Sequence, residues 1–151
     1  MTNAYASLSM ADSWFMERAI LTWLEADEEV REAALLRASE WIDTMFVFAG
    51  RPEDTTQPRA FPRIDLFLPD GRAVTGVPDA VLEAVYTLAL ALLEDDETAE
   101  AALGISPQLQ HQKAGGIELR FATGDHTKLT RIERLIHPFR RQPHDHLLRR
   151  G

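Results

Sequence analysis

At 151 residues the chain is long enough for one domain with a real core, since domains of about 100–150 residues are the commonest size. A hydrophobic content of 45% excludes wholesale disorder, and no run approaches the roughly 18 apolar residues that a membrane span requires. The absence of cysteine excludes disulfides and thiolate chemistry, and a net charge of −8 excludes a protein that coats nucleic acid with its whole surface.

The opening "MTNAYASLSMADSW" has no basic region leading into an apolar stretch, so no secretory signal is expected. Ser9 followed by Asp12 resembles a capping box, and a first helix is predicted from about Met10 to Leu24, with Trp14, Phe15, Ile20, Leu21 and Leu24 supplying apolar faces. Asp27 is the next N-cap candidate, with Glu28 and Glu29 in a first turn that favours negative charge. Val30, Ala34, Ala38, Trp41, Ile42 and Met45 then recur at three- and four-residue steps, a helical stripe that ends before Gly50 and Pro52.

Residues 51–63 read as a loop stiffened by proline. In "IDLFLPDGRAVTG" the Asp-Gly pair predicts a hairpin over about 64–76. Asp79 opens a third helix, with Pro78 tolerated in the first turn. Its stretch "AVLEAVYTLALALLE" is apolar on almost every side and too short to cross a bilayer, which predicts the central buried helix. The acidic run 94–97 is a solvated stop. Residues 104–116 read as a long arm, and "IELRF" alternates as a half-buried strand. Thr127 or Thr130 caps a last helix carrying Leu129, Ile132, Leu135 and Ile136, and His137-Pro138 stops it. The predicted class is therefore mainly α: a bundle of about four helices with a β-hairpin, one extra short strand, an arm and a C-terminal tail from Arg140 to Gly151.

Charge is unevenly placed. Residues 1–100 carry 20 acids against 7 arginines, a balance of −13, while residues 101–151 carry 4 acids against 9 Lys/Arg, a balance of +5. Positive charge at one end suits contact with phosphates, with an acidic partner or with a neighbouring copy.

The candidate chemical groups each have a simpler structural reading. His137, His144 and His146 with Asp145 lie in a tail without an evident frame for three converging metal ligands, so no metal and no cofactor is expected. The acidic run lacks the alternating oxygens and central glycine of a calcium loop. Gly115-Gly116 does not sit between a strand and a helix, as a phosphate cradle would. No nucleophile–base order has supporting context, so no enzyme is expected, and a hydrolase using the tail histidines is remote. Trp14, Phe15, Trp41, Phe46 and Phe48 follow helical spacing among acids, which assigns them to the core rather than to base stacking. Arg59 and Arg63 have the donors for phosphate, but Asp54, Asp65 and Asp70 are near enough in sequence to pair with them, so residues 57–81 read as a stiff connector and interaction ridge.

Several segments together resemble a known family: "YASLSMADSWFMER", "EEVREAALLRASEWIDTMFVFAGR", "QPRAFPR", the Asp-Gly turn, "VPDAVLEAVYTLALALLE" and "GGIELRF". The chain is similar over residues 4–139 to the tailed-phage family often labelled DnaT-like single-stranded-DNA-binding protein, whose fold relatives are head–tail connectors or adaptors. The most specific pieces are "ALLRASEWID" and Q-x-x-A-F-P-R, where Trp is more usual than Phe61; residues 140–151 match no such pattern.

The resemblance implies a ring of twelve copies in the virion, assembled from the host cytoplasm, without a membrane. The ring would lie beneath the portal protein, extend the DNA channel without sequence-specific contacts and dock a downstream neck or tail protein. It implies inter-subunit contacts from Arg59, Arg63, Leu66, Phe67, Asp70 and Arg72, and from the strand residues Ile117, Leu119 and Phe121. Portal contacts fall to His137, Phe139, Arg140 and Arg141, and to His144, His146, Leu147, Leu148, Arg149 and Arg150. The competing expectation is a single-stranded-DNA-binding accessory protein, for which the tail would be the only basic contact. Residues 140–151 are expected to be dispensable for folding.

Overall fold

The computed structural model describes residues 3–94, 99–103 and 127–142, and over these the chain is mainly helical with one two-stranded antiparallel hairpin. Helix α1 spans Leu8–Glu17, and its N-cap is Ser7 rather than Ser9: the Ser7 hydroxyl accepts the Met10 N–H at 3.1 Å. The single helix expected to continue to Leu24 is broken in two. Ala19 takes φ +54°, the Ile20 N–H donates to the Phe15 carbonyl and the Ala19 N–H to that of Met16, both at 3.0 Å. This is a Schellman closure with alanine where glycine is usual. Helix α2, Leu21–Glu25, follows at once and buries Trp23.

Helix α3, Glu28–Met45, starts at Asp27 as expected and buries Ala34, Leu35, Ala38, Trp41 and Ile42, while Val30 of the expected stripe is exposed. Helix α4, Asp79–Glu94, is the predicted central helix, with Val81, Ala84, Val85, Leu88, Ala89 and Leu92 all buried. It packs between α3 and helix α6, Thr127–Ile136, whose Leu129, Ile132 and Ile136 close the core at three- and four-residue steps. Burying a side chain of this size stabilises the fold by about 1.5–3 kcal/mol, so α4 with its two flanking stripes dominates cohesion. A short helix α5, Ala99–Ala102, leads to the buried Leu103.

Strand pairing differs from expectation. The ladder joins β1, Arg51–Pro52, to β2, Arg63–Ile64, around the 53–62 loop. The Asp-Gly turn closes downstream with one bridge, Phe67 to Ala73, and with Leu68 and Val74 N–H groups donating to Arg72 and Leu66 carbonyls. Gly71 there has φ +91°, the conformation for which glycine is suited. Gly50 has φ +72° and lies so close to β2 that a Cβ would meet the Ile64 carbonyl oxygen at 2.3 Å. The expected strand Ile117–Phe121, the whole of the expected 104–116 arm and the tail beyond Gln142 lie outside the described residues.

Arg140 and Arg141 are not part of a detached tail. After the 3-10 turn His137–Phe139, the chain pairs with the segment after α3: Ala49 N–H donates to Phe139 carbonyl and Arg141 N–H to Val47 carbonyl, both at 2.9 Å. The Arg140 guanidinium lies 5.2 Å from the Phe46 ring centroid. A chain cut after Phe139 should be less stable by about 1–2 kcal/mol than one cut after Gln142, through the lost hydrogen bond and ring contact, read by urea denaturation. Ala19→Gly should raise stability by roughly 0.5–1 kcal/mol in the same assay, because it relieves a left-handed alanine; a loss would contradict the account of the break.

Candidate functional site

Residues 57–63 owe their shape to polar groups that face inward. The Gln57 side-chain amide donates to the carbonyls of Arg59 (2.7 Å) and Pro62 (3.0 Å), while its oxygen accepts the Asp54 N–H at 3.0 Å. Asp43, on α3, accepts the Ala60 N–H at 3.0 Å and the Tyr5 hydroxyl, and Arg59 lies 3.4 Å from the same carboxylate. Tyr5 in turn accepts the Phe61 N–H at 3.3 Å, and its own N–H donates to Ser39 at 3.0 Å. One carboxylate thus joins the N-terminal segment, α3 and the connector.

Phe61 is buried at the meeting point of three rings, with centroids 4.8 Å from Phe48, 6.2 Å from Phe139 and 6.3 Å from Tyr5. Arg63 donates to the carbonyls of Ala49 (2.7 Å), Ala60 (3.0 Å) and Gly50 (3.1 Å). The Q-x-x-A-F-P-R element is therefore a folding device: glutamine shapes the loop, phenylalanine plugs the core and arginine fastens it.

Burial raises the Asp43 carboxyl above the usual carboxylate range, against the opposing pull of Tyr5, the Ala60 N–H, Arg59 and Arg63. The Tyr5 phenol is pushed far up, chiefly by burial and then by Asp43, so it stays a donor. Burial also lowers Arg63. The local pairing expected of Arg59 and Arg63 with Asp54, Asp65 and Asp70 does not form. Asp65 pairs with Arg51 at 2.9 Å, Asp70 with Arg72 at 2.7 Å, and Arg59 reaches across to Asp43. Arg59 Nε and Nη1 are buried without a hydrogen-bond acceptor, and the ion pair alone compensates them.

The surface beside this network is an open groove of about 880 Å³, lined by Ala49, Gly50 and Arg51, by Asp65, Leu66, Phe67 and Pro69, and by His137, Pro138, Arg140 and Gln142. Leu66 is its buried floor and Phe67, 57% exposed, its apolar wall. The groove thus brings Leu66 and Phe67 from one expected set together with His137 and Arg140 from the other. Phe139 is buried beneath them, Arg141 is exposed, and Asp70 with Arg72 caps the exposed hairpin tip. His144, His146, Leu147, Leu148, Arg149, Arg150, Ile117, Leu119 and Phe121 lie outside the described residues.

Sequence reasoning missed Tyr5, Gln57 and Asp43. The available signal was Asp43 itself, an acid beside Trp41 and Ile42 on the buried side of a helix, which requires partners. A second missed cluster fixes the α1–α2–α3 corner: Asp12 accepts Trp23 Nε1 at 2.8 Å and Arg31 at 2.7 Å. Among the described residues no group of three His, Asp or Glu side chains could hold a metal, and no helix is long and apolar enough to cross a membrane.

A raised folded-state value for Asp43 gives its linkage a definite sign. The folded protein holds that proton more tightly than the unfolded chain, so the contribution is present below the unfolded value of 3.8 and is lost as pH rises through the folded value. Wild type should therefore gain stability relative to Asp43→Asn as pH falls from 7 towards 4; parallel pH profiles would contradict this. Tyr5→Phe should cost about 1–3 kcal/mol at neutral pH by leaving the Phe61 N–H and Asp43 short of a partner.

The sequence matches the family described as "Putative DnaT-like ssDNA binding protein" over residues 1–149. No curated protein matches the chain, and no solved structure does.

Proposed function

The chain belongs to the DnaT-like ssDNA-binding family, and we propose that within it this protein is a non-catalytic assembly module: a head–tail adaptor of a phage-like virion, ringed beneath the portal, extending the DNA channel and docking the next neck component. The observation that carries this reading is the pairing of residues 139–141 with Val47–Ala49. It fixes the start of the basic C-terminal segment to the body at the lip of an apolar groove, an arrangement suited to gripping a protein neighbour.

The distribution of donors and rings supports the same reading. Arg63 gives one hydrogen bond from each of its three nitrogens to backbone carbonyls and Arg59 faces a carboxylate, so the connector offers phosphate little. Trp23 and Trp41 are buried, and Trp14 is held between the Arg18 guanidinium and Tyr86. A base-stacking surface needs several open rings in series.

A second reading, an accessory protein that binds single-stranded DNA, is supported by the family's description and by one local feature. Phe67 lies open in the groove beside Arg51, His137 and Arg140, which is one stacking face with cationic neighbours.

Electron microscopy of the full chain with its portal separates the two. The adaptor reading expects a ring on the portal's lower face and no tight oligonucleotide binding. Binding by a monomer that weakens steeply with salt, and that loses about 1–3 kcal/mol in Phe67→Ala, would instead establish the second reading.

A further inference from the structure

The acidic chain carries a basic face that is only partly neutralised. Residues 127–142 hold five Lys/Arg against one acid, a balance of +4. Half-buried Lys128 and exposed Arg131 and Arg134 climb α6 at three-residue steps, on turns that leave Leu129, Ile132 and Ile136 to the core, and Arg141 is exposed after the 3-10 turn. Arg131 pairs with Glu83 of α4. Lys128, Arg134 and Arg141 have no ion-pair partner among the described residues.

The complementary surface lies elsewhere on the same chain. Residues 17–32 hold six acids against two arginines, a balance of −4. Arg31 is taken by Asp12, and Arg18 lies over Trp14, donates to the Trp14 carbonyl at 3.0 Å and has Glu17 at 3.7 Å, so neither pairs with the exposed Glu25, Asp27, Glu28 and Glu29. The stretch also exposes Leu21 at 61% and Val30 at 47%. Exposed acids and exposed apolar side chains in one stretch are the composition of an interface, and the apolar part gives it affinity that charge alone lacks.

These faces cannot neutralise each other within one molecule. Glu29 and Val30 line a hollow with Leu92 and Leu93 near the end of α4, whereas Arg131 meets Glu83 near its beginning. Nine residues along a helix separate those points by about 14 Å, beyond the screening length of about 8–10 Å in ordinary salt. Helices α3 and α6 also flank α4 rather than each other.

We propose that the basic face of α6 docks on the acidic surface of α2 and the start of α3, with its exposed Leu21 and Val30, in a second copy of this chain. The contact is heterologous, because each copy presents one face of each kind, and a heterologous contact repeats into a ring when its rotation closes. The inference deepens the adaptor reading, on which its biological setting rests, by naming the surfaces that join neighbours. It also places the principal contact away from the hairpin, since Asp70 and Arg72 at its tip already pair with each other.

Sedimentation of the full chain over a salt series tests it. Wild type should associate at low salt and separate as salt rises. Lys128→Glu/Arg134→Glu and, separately, Glu28→Lys/Glu29→Lys should each weaken association by about tenfold or more. An equal mixture of the two variants should associate again, as alternating copies, and the milder Arg134→Gln, with its circular dichroism checked, guards against misfolding. A monomeric wild type at low salt, unaltered association in both variants or a mixture that fails to recover would overturn the proposal. Rings on portals formed equally well by both charge-reversed variants would overturn the assignment of faces and leave the adaptor reading standing; a wild type that forms no ring at all would overturn both. If wild type is monomeric and Lys128→Glu/Arg134→Glu loses oligonucleotide binding, the face belongs to nucleic acid and the proposal fails.

Discussion

A carboxylate on the buried side of a helix must be answered, and the answer given to Asp43 organises the rest of this protein. Leaving it unpaired would cost several kcal/mol. Its three partners come from two remote parts of the chain: the Tyr5 hydroxyl from the N-terminal segment, and the Ala60 N–H and Arg59 guanidinium from the connector. Meeting that demand draws the connector against α3 and carries Phe61 into the core between Phe48 and Phe139. Phe139 in turn places residues 140–141 in register with Val47. The groove, its exposed Phe67 and the exit of the C-terminal segment all follow from that one inward turn.

The same constraint decides where positive charge remains for a partner. An arginine with three carbonyls in its fork, as Arg63 has, is a structural bolt rather than a ligand site. Arg59, Arg51 and Arg72 each face an aspartate. Among the described residues, Lys128 and Arg134 on α6 and Arg141 after it face no carboxylate in an ion pair. Opposite charges kept apart in one chain leave each to attract a partner of the other sign, and charge of this kind sets orientation and encounter rate as much as affinity.

How far the sequence foretold this depended on whether the signal was local. Helix α4 was legible because apolar residues on every side have one stable location, and α3 and α6 because their stripes keep a helical period. The break after α1 was not, because its left-handed position holds Ala19 rather than the glycine that would announce it. The β1–β2 ladder was not legible because two-residue strands carry no alternation to read, whereas the Asp-Gly turn closes where its residues announce it. Arg59 and Arg63 were assigned to local aspartates because their true partners are remote: Asp43 lies 16 residues before Arg59, and the carbonyls of Ala49 and Gly50 lie 14 and 13 residues before Arg63. Long-range polar contacts leave no periodic trace, so the groove, which needs both the hairpin and the C-terminal pairing, was visible only as two separate sets of residues.

The central claim is that the connector's arginines face inward while those of the last helix face a partner. Arginine-selective modification of the native full chain with phenylglyoxal, mapped by peptide mass spectrometry, reads this directly. The account expects Arg63 and Arg59 to stay protected until the protein unfolds, while Arg134 and Arg141 react at the rate of exposed side chains. Rapid native modification of Arg63 and Arg59, at the rate of Arg134, would contradict it.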